Sequence, residues 1–211
     1  MRTEYAVLSG RGESELGFCR YDPFLSALGD ADKTLPSLLN DAGFHSIYVH
    51  PNDLDFADRA VYMPGLGFAD SIGIEGFSSQ AANKGERVSD FDLAEFILDA
   101  VDRHVDPLFI YAVTIENHGP WSGHGDPGER YLSNLTKSDA MIGALVRGLD
   151  ARGRPARLIF FGDHRPSIPG LISSDAGRDT PYVIVDFAKG EIAPRSCDIP
   201  PEALFEAALG R

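Results

Sequence analysis

Residues Arg157–Ser167 read RLIFFGDHRPS. Four apolar residues in a row, Leu158 to Phe161, lead directly into Gly162, Asp163 and His164. An unbroken apolar run of this length suits a strand buried on both faces, which is the habit of parallel sheets. In a regular strand Asp163 and His164 would point to opposite faces. Gly162 allows the chain to turn as it leaves the strand, so both side chains can address one ion. A carboxylate oxygen beside an imidazole nitrogen suits zinc or manganese better than calcium. Two donors are fewer than a divalent ion takes, and a hydrogen-bonded loop pair is the competing reading.

Working outward, apolar runs of the same kind occur at Ser46–His50, Leu108–Ile115 and Tyr182–Phe187. Helical patterns lie between them. Thr34–Ala42 carries Leu35, Leu38 and Leu39 at helical spacing and stops at Gly43. Ser89–His104 opens on an N-cap serine and sets Phe91, Ala94, Ile97, Leu98 and Val101 along one face. Glu129–Asp150 and the short Pro201–Leu209 complete the set, and Val61–Val88 reads as irregular surface structure. Helices alternating with continuous apolar strands predict an α/β fold with a mostly parallel central sheet. In such sheets chemistry gathers at the carboxyl ends of the strands. There SIYVHPND places His50, TIENHGPW places Glu116, Asn117 and His118, and FFGDHRPS places Asp163 and His164.

The totals limit the choices. A length of 211 residues with 43% hydrophobic content suits one soluble domain spanning 1–211. The formal charge of -13 argues against a nucleic-acid binder. An anionic substrate would therefore need local positive potential from Arg, His and a metal. Cys19 and Cys197 leave room for at most one bridge. No window is apolar enough for a membrane span, and the opening residues do not form a signal peptide.

Six pieces in order, RTEYAVLSG (Arg2–Gly10), KTLPSLLNDAGFHSIYVHPND (Lys33–Asp53), FADR (Phe56–Arg59) ahead of GFAD, TIENHGPW, YLSNLTKSDAMIGALV (Tyr131–Val146) and FFGDHRPS, resemble the sulfatase-like branch of the alkaline phosphatase superfamily. More narrowly, they resemble its lipoteichoic acid synthase and phosphoglycerol transferase group, whose relatives include capsule-associated proteins. The resemblance implies a three-layer α/β sandwich, alkaline-phosphatase-like but incomplete at the N-terminus. It also implies a divalent metal ion (manganese, magnesium, zinc or calcium, with manganese or zinc favoured) held by Asp163 and His164. His118 then lines the pocket, while His50 and Arg59 contact the phosphate or glycerol part of the substrate. Ala57 stands where lipoteichoic acid synthases carry a tryptophan.

The family's threonine nucleophile sits in a pattern close to Thr-x-Arg-Thr-Glu-Phe. Arg2, Thr3, Glu4 and Tyr5 fill its last four places, so the nucleophile falls one residue before Met1. A first core strand ending in an acidic ligand is also unmatched. Three readings follow: a shortened reading frame of a membrane-anchored protein, a degenerate relative, or Thr3 as nucleophile in a shifted register. Without its central strand, such a sheet is expected to expose apolar faces and unpaired edges. The implied reaction is transfer of a phosphoryl group of phosphoglycerol type, or its hydrolysis, on an anionic ester of a cell-surface polysaccharide or lipid. His50 and His118 are expected to donate hydrogen bonds or a proton, and Arg59 to pair with a non-bridging oxygen. Sulfate-ester hydrolysis is one alternative, although no C/S-x-P-x-R motif is present; a non-catalytic glycan- or protein-binding fragment is the other. Full-length relatives work outside the cytoplasmic membrane, so the implied location is extracytoplasmic.

Overall fold

The computed structural model describes residues 2–24, 33–77, 87–121, 125–168, 170–172, 177–187 and 194–211. In chain order the elements are α1 (Arg2–Ser9), α2 (Leu35–Asp41), β1 (His45–Val49), α3 (Arg59–Gly65), β2 (Asp70–Ile72), α4 (Asp90–Arg103), β3 (Leu108–Ala112), α5 (Pro127–Ala151), β4 (Ala156–Phe161), β5 (Tyr182–Phe187) and α6 (Ala203–Ala208).

Local chemistry fixes the helix ends. Thr34 accepts from the Ser37 amide, and the Ser37 hydroxyl reaches back to the Thr34 main chain, which starts α2. The helix ends where Gly43, at φ 87°, lets the Phe44 amide return to the Leu39 carbonyl at 2.9 Å. Ser89 caps α4 by accepting from the Asp92 amide. Asp126 accepts from the Gly128 and Glu129 amides and Pro127 follows it, so α5 begins two residues before the periodic stripe does.

β1 lies between β2 and β3, and both pairings are parallel. Its side chains alternate as a two-sided strand requires. Tyr48 faces a core formed with Tyr5, Val7 and Leu8 of α1, Tyr62 and Met63 of α3, and Leu204 of α6. Ile47 and Val49 face the other way, onto Leu93 and Ile97 of α4. Helices thus cover both faces, and the expected three-layer α/β architecture is borne out.

One expectation needs correction. The stretch from Val61 to Val88 is not irregular throughout, because it holds most of α3 and all of β2. Both are too short for a period to register, and α3 contains Pro64. In addition, β5 runs antiparallel to β4, and that pair forms a second ladder. Antiparallel neighbours need no helical crossover, and no helix lies between β4 and β5 among the described residues. Cys197 is an exposed free thiol.

Candidate active site

The rim is built first by α1. Thr3, in its first turn, donates its hydroxyl to the main-chain oxygen of Asp163 at 2.5 Å. This bond ties the start of the chain to the exit of β4. The next residue, Glu4, is 4% exposed and points inward. Its carboxylate accepts from the Tyr48 hydroxyl at 3.2 Å and from an Arg59 Nη at 3.4 Å. Arg59 also donates its Nε to the Tyr48 oxygen at 2.8 Å and the other Nη to the Phe56 carbonyl at 3.1 Å. Burial pushes the Glu4 carboxyl up, and the Arg59 charge opposes that shift. Burial likewise raises the Tyr48 phenol, which stays protonated.

Arg59 is therefore not the solvated surface charge that a lone arginine ordinarily is: it is 8% exposed. A guanidinium has five N–H donors, and these contacts engage three. Among the described residues one N–H on each Nη has no further partner, and the guanidinium lines the cleft. The loop that delivers it is strained, because Ala57 and Asp58 both adopt left-handed backbone conformations at φ 58° and 52°. Outside glycine such conformations are uncommon and cost about 1 kcal/mol or more each.

His50, at the exit of β1, is 4% exposed. Its Nδ1 lies 3.1 Å from the Val113 carbonyl, a pure acceptor, so Nδ1 carries the proton and Nε2 holds a lone pair. Burial depresses this imidazole to about 4, with the charges of Arg59 and His118 acting in the same sense. At neutral pH His50 therefore accepts a hydrogen bond through Nε2.

After β3, the residues Glu116, Asn117 and His118 separate in role. Glu116 turns into the molecule, accepting from the Asp90 amide at 2.8 Å and from Lys137 at 2.6 Å. Asn117 accepts from the Trp121 indole at 3.0 Å. His118 is exposed on the cleft, with Nδ1 2.6 Å from the Gly119 carbonyl. Arg87 donates to the carbonyls of His118 and Gly119 and so anchors this loop.

After β4, Asp163 and His164 leave the strand together, as Gly162 was expected to allow. His164 Nδ1 and Asp163 Oδ2 are 2.9 Å apart. Burial pushes the Asp163 carboxyl up, but the His164 hydrogen bond and charge outweigh it and hold the carboxyl below the usual range. The same bond raises His164. Among the described residues no three His, Cys, Asp or Glu side chains converge as a metal site would need. The adjacent carboxylate and imidazole suit a divalent ion in donor type but supply only two ligands, now bonded to each other.

His50, Arg59, His118, Asp163 and His164 all line one open cleft that runs along β3 and β4, and His50, His118 and the Asp163–His164 pair follow the carboxyl ends of β1, β3 and β4. Sequence reasoning missed Glu4, Tyr48 and Arg87, the groups that position Arg59 and the His118 loop. A glutamate in a first helical turn and a tyrosine in an apolar run carry no signal of that kind. Arg87 fell within a stretch read as irregular.

The sequence pattern of the sulfatase family matches residues 1–189. Over 203 residues, 93% of the chain, it is 33% identical to the capsular polysaccharide biosynthesis protein RkpI of Rhizobium meliloti. The lipoteichoic acid synthase LtaP of Listeria monocytogenes superposes with TM-score 0.63 over 82% of the chain at 16% identity. The phosphoglycerol transferase GacH of Streptococcus pyogenes, solved with sn-glycerol-1-phosphate, superposes with TM-score 0.54 over 68% at 23% identity. The chain spans 38% of RkpI, 46% of the LtaP chain and 44% of the GacH chain.

Proposed function

Because the chain belongs to the sulfatase family, within the alkaline phosphatase superfamily, we propose that its cleft binds the phospho-ester of a cell-surface glycan or lipid-linked glycerol for phosphoryl transfer. The observation that carries this reading is Arg59. It is held by Glu4, Tyr48 and the Phe56 carbonyl, lines the cleft, and among the described residues keeps one N–H on each Nη for a ligand. A planar fork with two fixed donors suits a tetrahedral oxyanion, and its rigidity lowers the ordering cost of binding. His50 then takes a different part from Arg59. Its lone pair at Nε2 accepts an O–H, which suits a glycerol or sugar hydroxyl rather than an anionic oxygen. His118, at the exposed edge, faces the outer side of the bound group.

Proteins of this superfamily are metal-dependent. Asp163 and His164 would be two of the ligands, preferably for manganese or zinc; such an ion supplies a Lewis acid to a phosphoryl oxygen. Their mutual hydrogen bond has to break first. The described residues do not complete that site, so no step is derived through it. No helix among the described residues is long and apolar enough to cross a membrane. A capsule-related substrate is proposed by likeness to RkpI, and an extracytoplasmic location by likeness to the periplasmic domain of EptC from Escherichia coli.

Calorimetric titration with sn-glycerol-1-phosphate and with methyl sulfate, on the native chain and on Arg59→Lys, tests the reading. The phosphate ester should bind better than the sulfate. Arg59→Lys keeps the charge but loses the fork, and should weaken phosphate binding about tenfold, roughly 1.4 kcal/mol. Equal affinity of the two proteins would refute the assignment, and a preference for sulfate would favour the sulfatase alternative.

A further inference from the structure

The loop after β3 carries an aromatic group that the ester chemistry above leaves unused. Trp121, the only tryptophan of the chain, stands three residues beyond His118 and is half-buried. Its ring is fixed from three sides. The indole N–H donates to Asn117 Oδ1 at 3.0 Å. The Tyr131 ring of α5 meets it edge-on, with centroids 5.5 Å apart and planes at 82°. Its benzene edge lies on Gly119, where a Cβ would come within 3.0 Å of the ring. A glycine is needed at that point, and the indole is seated before any ligand arrives.

Trp121 borders two spaces. One is the cleft of the ester site; the other is a smaller cavity of about 300 Å3, lined by Arg87, Pro120, Trp121, Arg130, Ser133 and Asn134. Arg87, Pro120 and Trp121 line both, so the two spaces adjoin along the loop that carries His118.

The polar groups of the smaller cavity are of one kind. Arg87 donates to the carbonyls of His118 and Gly119, the second at 2.7 Å, and among the described residues it pairs with no carboxylate. Arg130 brings a second positive charge from α5. No acidic side chain lines the cavity among the described residues. In a chain of net charge -13 that is a local reversal of sign. Asn134 donates through Nδ2 to the Glu116 carbonyl at 3.4 Å, which leaves its Oδ1 to accept. The Ser133 hydroxyl has no partner among the described residues.

We propose that the corner between Trp121 and Tyr131 is a subsite for a sugar ring that carries an anionic substituent, a carboxylate or a phosphate. A pyranose presents apolar C–H groups on its faces and hydroxyls around its edge. The faces suit the indole, and the hydroxyls suit Ser133 and Asn134. The anionic substituent suits the guanidinium of Arg87, whose planar form matches carboxylate and phosphate oxygens. An aromatic wall with a few placed polar groups is the usual make-up of a small-ligand site. Its fixed indole lowers the ordering cost of binding. A bare inorganic anion would leave the aromatic corner unused, and an apolar ligand would desolvate the charges and the hydroxyl without replacing their hydrogen bonds. The ring's place as the glycan part of the substrate rests on the ester reading given above; it would lie on the outer side of His118, beside the transferred group.

Titration of the intact chain with methyl β-D-glucuronide, glucose 6-phosphate and methyl β-D-glucoside tests the subsite. The fluorescence and the indole N–H resonance of Trp121 each give a single signal, since no other tryptophan is present. The better acidic sugar should bind saturably and about tenfold tighter than the neutral glucoside, the worth of one charge-assisted hydrogen bond. Which of the two acidic sugars binds tighter identifies the charged group. Arg87→Gln and Arg130→Gln should each bring acidic and neutral sugars towards equal affinity, and Tyr131→Ala should weaken all three alike. In Arg59→Lys, where sn-glycerol-1-phosphate binding is expected to fall, the Trp121 response to the acidic sugars should persist, so the two sites fail separately. A response lost with Arg59 would assign these sugars to the ester site and overturn the subsite. No saturable signal from either acidic sugar, equal affinity of acidic and neutral sugars in the native chain, or a preference that survives both arginine substitutions would overturn it too, whatever the glycerol phosphate titration returns.

Discussion

Arg59 shows how a single side chain can be legible in type and illegible in setting. The FADR motif marked it as a substrate contact by resemblance, while its residue type alone suggested a solvated charge. The structure buries it against Glu4 and Tyr48, because α1 and β1 bring a carboxylate and a phenol to the same point beneath the rim. Ala57 beside it adopts a conformation that glycine takes without penalty. Ala57→Gly should therefore raise stability by about 1 kcal/mol, read as a higher urea midpoint at unchanged slope. A lower midpoint would show that the loop is not strained. His50 makes a prediction in pH. Its folded value of about 4 lies below the ordinary 6.5, so between these values the unfolded chain binds more protons. The stabilisation is complete above about pH 6.5 and is lost as pH falls towards 4, by on the order of 3 kcal/mol. Urea titrations should show that component in the native chain, and its absence from His50→Gln. An identical pH profile in both proteins would contradict the buried neutral imidazole.

At the scale of elements, what could be read depended on length and on caps. Strands β1, β3 and β4 announced themselves as apolar runs, α2 through its leucine spacing and Gly43, and α4 through Ser89. Helix α3 and strand β2 did not, since a single helical period interrupted by proline or a three-residue strand leaves no pattern. The antiparallel direction of β5 was equally hidden, because an apolar run states burial and not polarity. The cap of α5 was present in the sequence as Asp126–Pro127, ahead of the stripe used to place the helix. Asp126 satisfies two first-turn amides, so Asp126→Ala should cost about 1 kcal/mol. Asp126→Asn, which can still accept, should cost much less in thermal melts. Equal losses would mean that the charge, not the cap, matters.

Across the whole molecule, a net charge of -13 coexists with a rim where Arg59, Arg87 and Arg165 line the cleft beside His50, His118 and His164. A cluster of arginines thus lines the proposed site against the overall sign. It comes from residues far apart in sequence, which the parallel topology delivers to one end of the sheet. That convergence could be read from the order of the motifs. The polar groups that fix it, Glu4, Tyr48 and Arg87, could not, because their meaning lies in contacts between distant segments. The most direct test is to follow the imidazole 15N resonances while sn-glycerol-1-phosphate is added. His50, His118 and His164 should shift together along one binding curve, and the response should vanish in Arg59→Ala. His45 and His104, stacked at the opposite end of the sheet, should stay still. Unrelated curves for the three rim histidines, or a response that survives the loss of Arg59, would contradict a shared oxyanion site.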